Sequence, residues 1–180
     1  EFDPKKHLVA PFEIPRSWRK YRTIDYGLDR LACLWIAVDF QGRCYVYREF
    51  AESKLIVSEA ARAALGVTPP QERIEYTIAP PDMWNRRQDS GLSGAEIMQR
   101  AAALPPMCPA DDRRVAGWRV LREYLSPSPS HPFIRISSDC TELIECLPAL
   151  LCDPNKAEDA SGEPVVARYS FDSSNIHSFF

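Results

Sequence analysis

Three short apolar runs decide the fold of this chain: Thr23-Ile-Asp-Tyr26, Ala32-Cys-Leu-Trp-Ile-Ala-Val-Asp-Phe40 and Cys44-Tyr-Val-Tyr-Arg-Glu-Phe50. The second and third runs are rich in β-branched and aromatic residues, which favour strands. Between them, Gln41-Gly-Arg43 supplies a turn, with Gly42 at a position that needs a positive φ. Residues 22–50 are therefore predicted to form a three-stranded antiparallel meander.

Helices and single strands alternate after this meander. Apolar spacing predicts a helix over residues 53–65 with Gly66 as its C-cap, and alternation with period two predicts a strand over 73–79 that stops at two prolines. Ser93, with Glu96 three residues later, is a capping box for a second helix that runs to about residue 103. The rest of the pattern predicts a helix at 115–125, a strand at 133–136, a helix at 141–151 and a polar loop at 157–164.

This order of elements predicts an α/β domain with a mixed sheet, in which three antiparallel strands are followed by parallel strands and helices flank the sheet. It resembles the ribonuclease H-like fold. A length of 180 residues fits one domain of ordinary size. Residues 1–21 hold three prolines and the start of a basic run, so we expect a linker from an upstream region there and the folded domain at 22–180.

Composition and charge exclude several classes of protein. With 45% hydrophobic and 26% charged residues, a soluble globular domain is expected rather than a disordered chain, and the apolar runs are too short to span a membrane. Residues 1–6 are charged, so no secretion signal is expected. A net charge of −3 argues against binding nucleic acid by overall charge. Six cysteines without metal-site spacing predict reduced thiols in a cytosolic protein.

Two carboxylates fall where open mixed sheets usually carry their sites, beyond the carboxyl ends of parallel strands. Asp25 sits inside a short apolar strand, and Asp82 closes the strand expected to lie parallel to the first. Two facing carboxylates repel each other unless a cation lies between them, and hard divalent ions take oxygen ligands of this kind. The pair therefore indicates metal-assisted phosphoryl chemistry.

A structural reading of both residues stays open at this point. Asp25 precedes Tyr26-Gly27, where an aspartate can form an Asx turn, and Asp82 can cap the turn at Trp84. Spacing alone does not choose between the metal site and this alternative.

Four blocks of the sequence resemble the carboxyl-terminal nuclease domain of tailed-bacteriophage or prophage large terminase subunits. They are Arg22-Thr-Ile-Asp-Tyr-Gly27, the stretch from Trp35 to Glu49, Pro80-Pro-Asp-Met-Trp-Asn-Arg-Arg-Gln-Asp-Ser-Gly91, and Arg113-Arg-Val-Ala-Gly-Trp-Arg-Val-Leu121 with Cys140 and Leu147-Pro148 beyond it. The resemblance begins near Trp18, and the block from Asp82 to Gly91 is its most specific part.

The resemblance implies a ribonuclease H-like nuclease domain at residues 22–180 that cleaves concatemeric phage DNA during genome packaging. It implies that Asp25 and Asp82 are catalytic ligands of a two-metal site holding Mg²⁺ or Mn²⁺. The family's third acidic ligand lies in a stretch like Asp-His-x-x-Asp-Ala-x-Arg-Tyr, of which only Ala167-Arg-Tyr169 is present. Either a segment has been deleted between Pro164 and Val165, which the match on both sides of the gap favours, or the third ligand has been lost by substitution, or Asp159 or Glu163 takes its place. Asp159 is the candidate replacement for the third catalytic metal ligand.

Basic residues and the expected partners complete the interpretation. Arg86, Arg87, Arg113 and Arg114 are candidate DNA-binding residues, although each can equally be a solvated surface charge. No phosphate-binding loop is found in the sequence, so an ATPase motor domain is expected upstream. The resemblance further implies double-stranded DNA, a small terminase subunit and a portal as partners, no membrane, and the bacterial host cytoplasm as location. The competing function is a non-catalytic binding module of the same fold.

Overall fold

The computed structural model describes residues 2–27, 30–111, 113–126, 134–149, 151–153 and 156–161. Its helices are α1 Pro4–His7, α2 Val57–Val67, α3 Gly94–Ala101, α4 Arg114–Leu125 and α5 Thr141–Cys146. Its strands are β1 Leu8–Val9, β2 Arg19–Tyr26, β3 Arg30–Val38, β4 Cys44–Ser53, β5 Thr77–Ala79, β6 Met107–Pro109, β7 Ile134–Ser137, β8 Leu151–Asp153 and β9 Lys156–Ser161. Two 3-10 helices lie at Pro81–Trp84 and Leu147–Ala149.

A seven-stranded mixed sheet in the order β1-β7-β4-β3-β2-β5-β6 forms the centre of the fold, and β8 pairs with β9 in a separate hairpin. The predicted meander is confirmed, because β2 pairs antiparallel with β3 and β3 pairs antiparallel with β4. The turn between β3 and β4 has Gly42 at φ 77°, the conformation that its glycine was predicted to supply. Every other pairing in the sheet is parallel, so β3 alone runs against the remaining strands.

Helices cover both faces of the sheet, as the α/β interpretation predicts. On one face, α4 and α5 contribute Leu121, Tyr124 and Leu143 to a core with Leu34 and Ile136 of the strands. On the other face, α2 packs closely against the sheet because its buried side chains are small. Met98 of α3 belongs to the same core, as does Trp35, which is fully buried. The mixed sheet flanked by helices has the ribonuclease H-like arrangement expected from the sequence.

Several boundaries differ from those the sequence suggests. Helix α2 begins at Val57 and continues through Gly66, which is therefore inside the helix rather than its C-cap. Strand β5 is short because the residues before it are joined to β2 only by isolated hydrogen bonds outside the regular ladder. One of these runs from the Glu75 amide to the Lys20 carbonyl oxygen at 2.8 Å. Helix α5 ends at Cys146, close to Pro148, which cannot continue an α-helix. Residues 157–161 of the segment expected to be a polar loop belong to β9, and residues 162–164 of it lie outside the described part of the chain.

The amino-terminal segment adds a strand to the sheet. Leu8 and Val9 form β1, which pairs parallel with Ile136 and Ser137 of β7. His7 anchors this segment, since its Nε2 lies 2.9 Å from the carbonyl oxygen of Leu125. The division of the chain into 1–21 and 22–180 stays a prediction.

Cys33, Cys44, Cys108 and Cys140 are free thiols, as predicted for these positions. Cys33, Cys44, Cys140 and Cys146 are buried, and Cys108 is exposed. Burial raises the pKa of the Cys33 thiol to about 12, which keeps it protonated. Within the same residues, no helix is long and apolar enough to cross a membrane.

Candidate active site

One edge of the sheet collects the carboxyl ends of its parallel strands. Strand β2 pairs in parallel with β5, and β5 with β6, so the residues that follow these three strands emerge side by side. The expected parallel neighbourhood of the first strand of the meander and the strand before Asp82 is confirmed. In open α/β sheets this edge is where ligands bind.

Asp25 lies at the end of β2, one residue before the strand finishes. Its register partner on β3 is Ala32, which belongs to the core under α4 and α5, so the Asp25 side chain is directed to that face of the sheet. The residue is half-buried. An in-strand aspartate is unfavourable unless other groups stabilise its charge, which makes this position notable.

Asp82 lies three residues beyond the last residue of β5, in the 3-10 helix Pro81–Trp84 rather than in the strand itself. Its side chain is exposed, while the next residue, Met83, is buried against the start of α3. The amide of Asn85 donates to the Asp82 carbonyl oxygen at 2.9 Å, which closes the turn. The buried Met83 thus anchors the turn that carries Asp82, at the same edge of the sheet as Asp25 near the end of β2.

The donor chemistry of this edge fits a hard divalent cation in part. Asp25 and Asp82 offer carboxylate oxygens, the ligands that Mg²⁺ and Mn²⁺ prefer. Among the described residues, no group of three or more histidine, cysteine, aspartate or glutamate side chains is arranged to hold a metal. Asp159 falls in β9, where the structure describes only the backbone, and Glu163 lies outside the described residues.

Two of the candidate DNA-binding arginines follow Asp82 at the same edge. The backbone of Arg86 forms an isolated antiparallel β-bridge with that of Ser93, beside the start of α3. Arg87 is exposed, with its Nε 3.6 Å from Asp89. Burial raises the pKa of Tyr26, at the end of β2, and the charge of Arg87 opposes that rise. Arg87 therefore lies within electrostatic range of Tyr26, on the face of the sheet opposite to the Asp25 side chain.

The other two arginines lie where the loop after β6 meets the start of α4. Arg113 is exposed and its Nε donates to both carboxylate oxygens of Asp111, at 2.9 and 2.8 Å. These bonds hold the pKa of Asp111 below its ordinary value. Arg114 begins α4, and its side chain lies outside the described residues. The Arg113 charge is therefore partly neutralised by Asp111.

Three further charged residues, which link β3, β4 and α5, were not singled out from the sequence. Arg30, at the start of β3, is ion-paired with Glu142 of α5. Glu49 of β4 accepts from the amides of Glu142 at 2.8 Å and Leu143 at 3.0 Å, and so caps α5 from a neighbouring strand. Arg30 and Glu142 are 112 residues apart. No local pattern in the sequence could have paired them. For Glu49 there was one signal, since it is a glutamate inside a strand, at the end of the block that begins at Trp35.

Comparison with solved structures shows what this fold is similar to. The nuclease domain of the P22 large terminase matches with a TM-score of 0.76 at 15% identity, covering 100% of this chain and 91% of that one. A large terminase from a thermophilic bacteriophage matches with a TM-score of 0.71 at 14% identity, covering 98% of this chain and 43% of that one. The g2p large terminase nuclease domain from bacteriophage SPP1, with bound Mn, gives 0.64 at 13% identity, covering 96% of this chain and 97% of that one.

No protein-family model matches the sequence, and no curated protein does. The fold defines a ribonuclease H-like α/β domain. More particularly, it is the fold of large terminase nuclease domains, so the resemblance found in the sequence is confirmed at the level of the fold. The roles of individual residues stay predictions.

Proposed function

We propose that this chain is a metal-dependent DNA endonuclease domain of a large terminase, which cleaves concatemeric phage DNA during packaging. The observation that carries the proposal is the parallel pairing of β2 with β5, since it brings Asp25 and Asp82 to one edge of the sheet. A solved domain of the same fold has Mn bound, which supports a divalent metal as the cofactor of this domain.

In this proposal Asp25 and Asp82 hold Mg²⁺ or Mn²⁺, and Asp159 is the third ligand. When bound, such ions activate water and neutralise the leaving oxygen of a phosphodiester. The chain's own residues do the remaining work. The half-buried Asp25 fixes one ligand position on the rigid sheet, the buried Met83 fixes the turn that carries Asp82, and Arg86 and Arg87 attract the DNA backbone.

The partners and location follow from the same proposal. Double-stranded DNA is the substrate, and an ATPase motor domain precedes this one in the full protein, since this chain covers less than half of the large terminase from the thermophilic bacteriophage. The small terminase subunit and the portal are its partners in the packaging machinery. Its place is the bacterial host cytoplasm.

The test is nicking of supercoiled plasmid in Mg²⁺ or Mn²⁺, measured on gels. Asp25→Asn and Asp82→Asn should each abolish nicking and leave thermal unfolding unchanged or higher, because removing one charge relieves carboxylate repulsion. Glu123→Gln is the matched control, since Glu123 is an exposed carboxylate near the far end of α4. Nicking by both aspartate variants at the wild-type rate would contradict the proposal.

A non-catalytic DNA- or partner-binding module is the second candidate. The observation that favours it is the absence of a third acidic group beside Asp25 and Asp82 in the described part of the chain. Metal-dependent nicking of plasmid by the wild type separates the two candidates, and Asp159→Asn then tests the third ligand. Loss of nicking supports Asp159 as the third ligand, whereas DNA binding without metal-dependent nicking by the wild type supports the module.

A further inference from the structure

Arg30 occupies the same face and the same edge of the sheet as Asp25. Asp25 and Ala32 are register partners on adjacent antiparallel strands, and Arg30 is two residues from Ala32, so both side chains project from one face. Its ion pair with Glu142 confirms this side, because α5 packs there. Diagonal neighbours of this kind are about 7–8 Å apart, within reach of a long side chain.

The Arg30 guanidinium is held in place by Glu142, but that contact leaves some of its hydrogen-bond donors without a partner in the described part of the chain. One terminal nitrogen donates to Glu142, whose own amide is bonded to Glu49, so the cation is tied to β4 and α5 together. The Arg30 Nε is buried and has no hydrogen-bond partner among the described residues. The side chain is still 23% exposed. A positive charge that is still partly exposed thus lies on the same face and at the same edge of the sheet as Asp25.

This arrangement suits a phosphate better than a purely structural bridge. A guanidinium presents five donors in a planar fork and binds phosphate oxygens in pairs, whereas the Glu142 contact occupies only part of it. At the edge that carries Asp25 and Asp82, a cation is also needed to offset the repulsion that acidic side chains exert on DNA. Arg30 supplies part of that charge from the sheet itself, since Glu142 already pairs with it.

We propose that Arg30 binds a non-bridging phosphate oxygen of DNA at the Asp25–Asp82 edge. Glu142 orients the guanidinium when DNA is absent and shares it with the phosphate when DNA is bound. The inference rests on the proposed function, because it places the substrate phosphate at that site. Arg30 is then a substrate-binding residue that is neither one of the predicted metal ligands nor one of the arginines predicted from the sequence to bind DNA.

The first measurement is fluorescence anisotropy of a duplex oligonucleotide in EDTA over a range of salt concentrations. Arg30→Ala should weaken binding and reduce the slope of log Kd against log salt by about 0.9, the value for one phosphate that is no longer neutralised. Arg43→Ala is the matched control, since Arg43 is also ion-paired with a carboxylate, that of Asp39, but lies in the turn beyond the opposite end of β3. It should leave the slope unchanged.

Glu142→Gln separates a phosphate ligand from a structural bridge. This variant breaks the same ion pair as Arg30→Ala but keeps the guanidinium, so it should bind DNA at least as tightly as the wild type. Equal losses of affinity in the two variants, or an unchanged salt slope in Arg30→Ala, would overturn the inference. Arg30→Lys keeps the charge and should recover most of the slope, which guards against a folding defect in Arg30→Ala.

Plasmid nicking then distinguishes the two proposals. Arg30→Ala should lower the nicking rate by about 100-fold, with the metal concentration for half-maximal rate unchanged. If Asp25→Asn abolishes nicking while Arg30→Ala matches the wild type in rate and slope, the Arg30 inference alone fails. If the wild type does not nick but the slope still falls in Arg30→Ala, the DNA contact stands and the nuclease proposal fails.

Discussion

Arg22 of β2 and Thr77 of β5 are register partners that also share a side-chain hydrogen bond, from the Arg22 guanidinium to the Thr77 hydroxyl at 2.9 Å. Arg22 is fully buried and also donates to the carbonyl oxygen of Ala64, at the end of α2, at 3.2 Å. Burial lowers the pKa of the guanidinium. This contact joins the two strands that lead to Asp25 and Asp82.

We expect Arg22→Ala to lower the free energy of unfolding by about 2–4 kcal/mol, because it leaves a cavity and removes the link between β2, β5 and α2. Arg22→Met fills the same volume without burying a charge, so its loss should stay below about 1.5 kcal/mol. Urea denaturation measures both. Equal losses in the two variants would mean that the hydrogen bonds, rather than the volume, provide the stability.

DNA binding by this domain should be weak and strongly salt-dependent, since a net charge of −3 opposes approach and only local arginines offset it. Replacing both Arg86 and Arg87 with alanine should reduce the salt slope of binding by roughly 0.9 for each phosphate that is no longer neutralised. The matched control replaces Arg16 and Arg19, which are exposed and lie before or at the start of β2, at the opposite edge. Tight binding that ignores salt and the first pair of substitutions would place the DNA surface elsewhere.

The turn after β3 gives a pH-dependent prediction. Burial raises the pKa of Asp39, but hydrogen bonds from Arg43 and Gln41 outweigh it and hold that pKa below its ordinary value of 3.8. A carboxylate with a lowered folded pKa stabilises the protein above its unfolded pKa, and the contribution is lost as pH falls through the folded value. Asp39→Asn should therefore cost roughly 1–3 kcal/mol at pH 7, and the difference from wild type should shrink below about pH 4.

Urea denaturation at several pH values measures this difference. Asp89→Asn is the control, because Asp89 is exposed and its 3.6 Å contact with Arg87 should contribute little to stability at any pH. A difference between wild type and Asp39→Asn that stays constant from pH 7 to pH 3 would contradict the assigned pKa shift.

The predictable parts of the fold were those encoded by neighbouring residues. The meander follows from alternating apolar runs and a glycine turn, and the Ser93–Glu96 capping box forms as expected, with Ser93 N to Glu96 Oε2 at 2.8 Å. The common edge of Asp25 and Asp82 follows from strand order, since parallel neighbours end on the same side.

Elements that depend on distant partners could not be predicted in this way. Strands β1 and β6 are only two and three residues long, so alternation has no room to appear, and each is defined by the strand beside it. The Arg30–Glu142 pair likewise exists only after β3 and α5 have packed. Gly66 was misplaced because a glycine near a helix end usually marks a C-cap, but Thr68 takes that position here.

Two glycines offer a matched pair for testing how Asp82 is held. A β-carbon at Gly94, the first residue of α3, would lie 2.8 Å from the Met83 Cε and 3.1 Å from its Sδ, whereas one at Gly66 in α2 meets nothing within 4 Å. Gly66→Ala should therefore stabilise the protein by about 0.5–1 kcal/mol through helix propensity. Gly94→Ala should destabilise it by about 1 kcal/mol, because Met83 must shift and methionine adapts at modest cost.

Under the proposed function, the same shift should also slow nicking, since Met83 directly follows Asp82 in the 3-10 helix. Thermal unfolding and plasmid nicking of the two variants give the two readouts. Adding Met83→Val to Gly94→Ala removes the overlapping atoms, so the double variant should lose less stability than the sum of the single losses. Gly94→Ala with wild-type stability and wild-type nicking would show that Met83 does not position the Asp82 turn.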